Sequence, residues 1–335
     1  MAGIIFSEGS GLNGSVYGNV QAPIRALIEA RGEAHMQNSI LKRMFKFLDS
    51  DNFGELLTSM TGMDGFDPVG ENGAYPADDM QEGFRKFVQA ITWKDKFGIS
   101  AEIIEDGKLL DLTSKPQAFM NAYERTREKF GAALYAGAFA GKKDVLYRGK
   151  KFDITTADGK SLFATDHPAK VKGKPQCNVF SDEFSVTALD YMESRMQDFR
   201  GDNDEILDVA PGTIVIANDP VLKRKVFEAV GADKDPDSAS NGFNYQFGRW
   251  NVFIWGYLNQ FIANGTAPWM LMDEQYNEAY NGAVWIDRLQ LAVKSTIDDE
   301  TDANVWRGRS RFNAAFNDWR FAAVGGMANG QKLVG

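Results

Sequence analysis

Between residues 51 and 84 the chain carries eight acids (Asp51, Glu55, Asp64, Asp67, Glu71, Asp78, Asp79, Glu82), six glycines and two prolines, and no lysine or arginine. A stretch of that composition cannot bury enough apolar surface to fold by itself. Long loops inside a compact domain are uncommon and are usually functional or disordered. The return segment from Phe84 to Ile104 regains β-forming residues at Phe87-Val88, Ile91-Thr92-Trp93 and Phe97 to Ile99. The pattern predicts a long, protruding two-stranded arm. A lone hairpin is only marginally stable in water, so this limb is expected to have no stable place on its own molecule and to lie across another copy.

The rest of the chain reads as α+β around one sheet, with no internal repeat. Residues 1–20 are rich in Gly, Ser and Asn and read as a flexible arm. From Pro23 to Leu48 apolar residues recur at three-to-four spacing, predicting two short helices broken near Gly32. Asp111 to Gly141 is the best helix, with Thr113 or Ser114 as cap, Pro116 in the first turn, and Phe119, Tyr123, Phe130 and Leu134 on one face. Its charges fall mostly off that face, and Gly131, Gly137 and several alanines thin its second half. Phe184 to Arg200 is amphipathic, with Thr187 and Asp190 resembling a capping box. Thr213 to Ala217, Trp250 to Leu258, Trp269 to Met272 and Ala283 to Ile286 read as strands, and Pro220 to Val230 as a helix. Near the end, Trp306-Arg307-Gly308-Arg309-Ser310-Arg311-Phe312 in extended form puts three arginines on one face and the two aromatics on the other. After Phe321 the Gly, Ala and Asn content reads as a loose tail.

Charge narrows the function. The net charge is -9, which repels phosphate backbones and argues against a sequence-reading DNA protein. Residues 142–174 invert the bias, with nine Lys and Arg against four acids, and so complement the acidic limb. No apolar run approaches the ~20 residues of a membrane helix, and no signal peptide opens the sequence; a soluble protein made in a cytoplasm is expected. The single cysteine, Cys177, excludes an internal disulfide and reads as a buried thiol.

Signals for chemistry are weak in context. Gly9-Ser10-Gly11-Leu12-Asn13-Gly14 fits the dinucleotide fingerprint but lacks the strand before and helix after that the mechanism needs. Asp49 to Gly54 resembles the opening of a calcium loop, yet Phe53 and Met60 occupy ligand positions. The acids at 298–302 read as a solvated loop. His35 reads as a partly exposed structural histidine, and His167, in Thr165-Asp166-His167-Pro168, as a turn histidine. With two histidines and one cysteine a zinc site is nearly excluded. No catalytic, cofactor-binding or metal residue is expected.

Three stretches, taken in order, resemble the major capsid (major head) proteins of tailed phages, in particular the Mu-like head subunit with the HK97-like fold. They are Asp158-Gly159-Lys160-Ser161-Leu162-Phe163-Ala164-Thr165-Asp166-His167-Pro168; the acidic limb running through Gln81-Glu82-Gly83-Phe84 to Phe97-Gly98-Ile99-Ser100 and Glu105-Asp106; and Thr213 to Val230 with Trp269-Met270-Leu271-Met272 and the Trp306 to Arg311 strand. The resemblance covers residues 20–322. It implies an α+β capsid fold with an N-terminal arm (1–50), an extended loop (51–95), a peripheral domain (96–183 and 289–322) holding a spine helix (111–141), an axial domain (184–288) and a loose tail (323–335). It implies self-assembly as pentamers and hexamers into an icosahedral shell around double-stranded DNA, with a separate scaffolding protein, a portal and a protease as partners. DNA proximity is expected to be non-specific, with no membrane and no cofactor, and the virion is the expected location after synthesis in the bacterial host cytoplasm. The expected subunit contacts are Asp64, Asp67, Glu71, Asp78, Asp79 and Glu82 of one copy against Lys142, Lys143, Arg148, Lys150 and Lys151, or Trp306, Arg307, Arg309 and Arg311, of the next. Two other readings stand beside this one. The first is a soluble α+β, carbohydrate-active enzyme; the second is a minor head or decoration protein.

Overall fold

The computed structural model describes residues 5–7, 28, 39–60, 68–69, 82–100, 102–103, 109–232, 243–263 and 267–334. His35, the glycine pattern at 9–14 and the acids Asp64, Asp67, Glu71, Asp78 and Asp79 lie outside them.

The main sheet is built on two long antiparallel strands, β11 (Ala283–Ile297) and β12 (Asn304–Phe316). On one side β12 pairs with β5 (Ile91–Ile99), antiparallel. On the other side β11 takes two parallel partners, β1 (Ile5–Ser7) at Ala292 to Lys294 and β2 (Lys46–Asp49) at Val284 to Asp287. The predicted helix through Leu48 therefore stops early. The short helix α1 (Leu41–Met44) ends where Phe45 turns extended, because 46–49 finds ladder partners along β11 that local periodicity cannot reveal. β11 begins at Ala283, so the main sheet takes residues from before the expected boundary at 288/289.

The long helix α2 (Leu109–Phe139) lies on one face of this sheet; its 31 residues span roughly 46 Å at ~1.5 Å per residue. It starts two residues before the predicted Asp111, and Pro116 sits inside it instead of in its first turn. The expectation of a thinned second half is corrected by the packing. Residues 130 and 132–136 are buried, and a Cβ on Gly131 or Gly137 would come 2.4 Å from Leu41 or 2.1 Å from Val145. The small residues are what lets neighbours approach the helix on several sides. Its charges are not all off the packed surface either. The Arg127 guanidinium is 2.8 Å from the Asp287 carboxylate and lies among the rings of Trp285, Phe312, Tyr123 and Phe47. Burial pushes Arg127 down, but Tyr123 and Asp287 outweigh it and hold the guanidinium above its ordinary range.

A second sheet runs in the order β13 (Ala322–Gly325), β10 (Trp269–Met272), β8 (Thr213–Ala217), β9 (Asn251–Trp255). Every residue of β8, β10 and β13 is buried. Around it pack α3 (Val186–Gln197), α4 (Pro220–Gly231) and α5 (Glu274–Tyr280). Leu189, Met192, Met196 and Phe199 are buried as the spacing predicts, but the cap of α3 is Ser185, whose hydroxyl accepts from Ala188 N, and not Thr187. Asp219 caps α4 and Asp273 caps α5.

The loose tail is also corrected. β13 closes the second sheet, Ser181 N donates to Gln331 O, Gln331 N to Val179 O, and Leu333 N to Asp182 Oδ2. A Cβ on Gly325 would meet Trp269 at 2.4 Å, and one on Gly330 would meet the Phe180 backbone at 2.1 Å. These glycines mark close approach, not freedom. His167 is not a surface turn residue: it is 0% exposed and stacked on Trp319 at 4.4 Å. Cys177 is buried, and burial pushes its thiol up.

Candidate assembly interface

The acidic limb begins and returns as the antiparallel hairpin β3 (Gly54–Met60) and β4 (Glu82–Gln89). At its entry, Glu55 accepts from Ser50 Oγ and from Asn52 Nδ2, and these bonds hold its carboxyl below the usual range. Alternation then sorts the hairpin into two faces. The inner face carries Leu57 and Val88, which pack on Val284, Ile286 and Ala315 of the main sheet. It also carries Lys86, buried, whose ammonium reaches Asp153 at 3.4 Å and the Thr155 carbonyl. Burial lowers Lys86, while the Asp153 carboxylate pulls in the opposite sense. The stem of the limb thus has a place on its own subunit, which corrects the expectation that it has none. The limb also ends earlier than the expected residue 95, because β5 already belongs to the main sheet from Ile91. The outer face is different. Leu56 and Phe87 sit opposite each other, 55% and 57% exposed, with Phe53 exposed beside them. Of the expected acidic contacts, Glu82 opens β4.

The basic segment is the hairpin β6 (Asp144–Tyr147) and β7 (Lys150–Asp153), turned at Arg148 and Gly149. Both turn residues have positive φ, 47° and 76°, as a two-residue primed turn requires. Lys142, Lys143, Arg148, Lys150 and Lys151 are all exposed. The four acids of the region are spent locally: Asp144 on Lys151, Asp153 on Lys86, Asp158 on His167 and Asp166 on Lys160.

On β12 the alternation predicted from sequence is present. Trp306, Gly308, Ser310 and Phe312 face the helix side, and Arg307, Arg309 and Arg311 face away. Trp306 is 4% exposed, stacked on Phe97 at 5.1 Å, so it leaves the set of candidate contacts. The register adds cations that the sequence reading missed. Arg307 stands between Lys96 of β5 and Lys294 of β11, and Arg309 stands opposite Lys94. Lys94, Lys96, Lys294, Arg307 and Arg309 are exposed, and none has an ion pair among the described residues. Lys94-Asp95-Lys96 repeats the every-second-residue basic pattern of β12, which was the available signal. Among the described residues no group of three or more His, Cys, Asp or Glu could hold a metal ion, and no helix could cross a membrane.

The profile of a family described as phage capsid protein matches residues 83–325. No curated protein matches the chain. Among solved structures, the chain is similar to the capsid of the cyanophage P-SCSP1u, at 11% identity over 86% of this chain and 87% of that one, TM-score 0.51. It is also similar to the SrpI encapsulin of Synechococcus elongatus PCC 7942, at 10% identity over 85% of each chain, TM-score 0.50. These likenesses fix the architecture, a thin α+β plate with a long helix, a projecting hairpin and two sheets. The chain belongs to the phage capsid protein family, as a major capsid protein with the HK97-like fold.

Proposed function

We propose that this chain is the head-shell subunit of a Mu-like tailed phage, made in the bacterial host cytoplasm and assembled with copies of itself, as pentamers and hexamers, around double-stranded DNA. In this reading residues 1–50 form the N-terminal arm, the β3–β4 limb is the extended loop, α2 is the spine helix and the second sheet is the core of the axial domain. The observation that carries it is the split of the limb: an inner face seated on its own subunit and an outer face with Leu56 and Phe87 exposed. Each of those side chains is worth ~1.5–3 kcal/mol when fully buried, and exposed ion pairs only about 0–1 kcal/mol. Apolar contact with a neighbour then supplies most of the affinity, and charge sets the register. Weak contacts suit a closed shell, in which many act together and misplaced copies can leave.

A separate scaffolding protein, a portal and a protease complete the assembly, and contact with packaged DNA is non-specific. Residues 51–84 contain no lysine, so no covalent link forms from the limb tip. Electron microscopy of the concentrated protein tests the reading: capsomers, sheets or shells are expected, and a persistent monomer overturns it. A Leu56→Ser/Phe87→Ser variant is expected to fold as the wild type does while failing to form shells.

A further inference from the structure

We infer that the outward face of the main sheet, bearing Lys94, Lys96, Lys294, Arg307 and Arg309, receives the acidic segment between β3 and β4 of a second copy of this chain. The inference rests on the shell-subunit reading and goes beyond it by choosing this face over the β6–β7 hairpin and by adding three lysines. Residues directly opposite on neighbouring strands share a face and lie about 5 Å apart. The sheet therefore sets Lys96, Arg307 and Lys294 in one row, with Lys94 and Arg309 in the next, roughly 7 Å along. Like charges so placed repel. No carboxylate among the described residues pairs with any of the five. Beside them, Arg311 Nε is buried without an acceptor. The β6–β7 region, by contrast, already holds acids against Lys151 and Lys160. The unanswered positive charge is on the sheet.

The matching anion is in the same chain. Residues 61–81 contain five acids, Asp64, Asp67, Glu71, Asp78 and Asp79, and no base, equal in number to the five cations. The stem of that segment is anchored at Val284 and Ile286 of β11. Lys294 stands about 25 Å further along the same strand at ~3.3 Å per residue, so the stem and the basic rows of one subunit occupy opposite ends of the sheet. Nucleic-acid phosphate is the competing occupant; a net charge of -9 disfavours it.

The test uses the full chain. A Lys94→Glu/Lys96→Glu/Arg307→Glu/Arg309→Glu variant is expected to keep the wild-type melting temperature within a few degrees and to lose shell yield at least tenfold. An Asp78→Cys/Arg309→Cys variant, oxidised during assembly, is expected to give a covalent ladder on denaturing gels. Normal shells from the first variant together with no ladder from the second overturn the inference while leaving the shell reading intact. A cross-link confined to the monomer band overturns it in favour of the subunit's own limb. Full-yield shells that lose only their DNA overturn it in favour of phosphate. Absence of any assembly by the wild type defeats the shell reading itself.

Discussion

Both ring nitrogens of the fully buried His167 meet acceptors: Nδ1 stands 2.7 Å from Asp158 Oδ2 and Nε2 3.2 Å from Asn178 Oδ1. The Asn178 orientation is fixed, because its Nδ2 donates to the Leu162 and Ala322 carbonyls and its Oδ1 also accepts from Ala164 N. With Asp158 ionised, both ring nitrogens must donate, so the ring is an imidazolium, paired, stacked on Trp319 and shut away from water. Burial alone would raise the Asp158 carboxyl, but His167, Thr156 and the Lys160 N–H together bring it below its ordinary value. A depressed folded pKa contributes stability that is complete above the unfolded value, about 3.9, and is lost as pH falls through the folded one. Asp158→Asn is therefore expected to cost roughly 3 kcal/mol at pH 7, in the range for breaking a buried pair, and to flatten the loss of melting temperature below about pH 4. Equal acid slopes for variant and wild type in calorimetry would rule the pair out as the source. At Gly308 the issue is space. A Cβ there would sit 2.4 Å from the Phe119 ring, so Gly308→Ala is expected to cost ~1–3 kcal/mol. Gly98→Ala, on the open side of the same sheet with its nearest neighbour at 3.7 Å, should change stability by no more than about 0.5 kcal/mol; urea titration of the two compares them directly.

Among the elements, those whose signal is local were legible in the sequence. β8, β10 and α4 fall where apolar runs and a Pro at the helix start put them. The alternation of β12 was readable as well. β2 was not, because a four-residue strand is defined by its partner on β11, and that partner lies more than 200 residues away. The second half of α2 was misread for a related reason: alanine and glycine carry no hydrophobic pattern, yet here they set how closely other elements approach. In the limb, composition identified a projecting hairpin but could not show that its two faces differ. That difference is measurable. Leu57→Ala, on the inner face, is expected to lower subunit stability by ~2–4 kcal/mol, as read by chemical unfolding of unassembled protein. Phe87→Ser, on the outer face, should leave that unfolding curve nearly in place.

For the whole molecule, sequence order and spatial order part company at the two ends. β1 and β2 of the amino-terminal region pair with β11, and β13, after the last long strand, completes the sheet begun by β8. The arginine-bearing strand was found from sequence, but the basic rows were not, since they exist only once β5, β12 and β11 stand side by side. A chain truncated after Phe321 is expected to lose cooperative melting instead of merely shedding a disordered end, which circular dichroism during heating would show. β13 has one more implication. A polypeptide stopped short of residue 322 leaves β10 with an open flank and Trp269 without the glycine it lies against. Such a fragment cannot settle into the plate that tiles, so unfinished chains are rejected before they reach the growing lattice, and quality control is built into the order in which the fold closes.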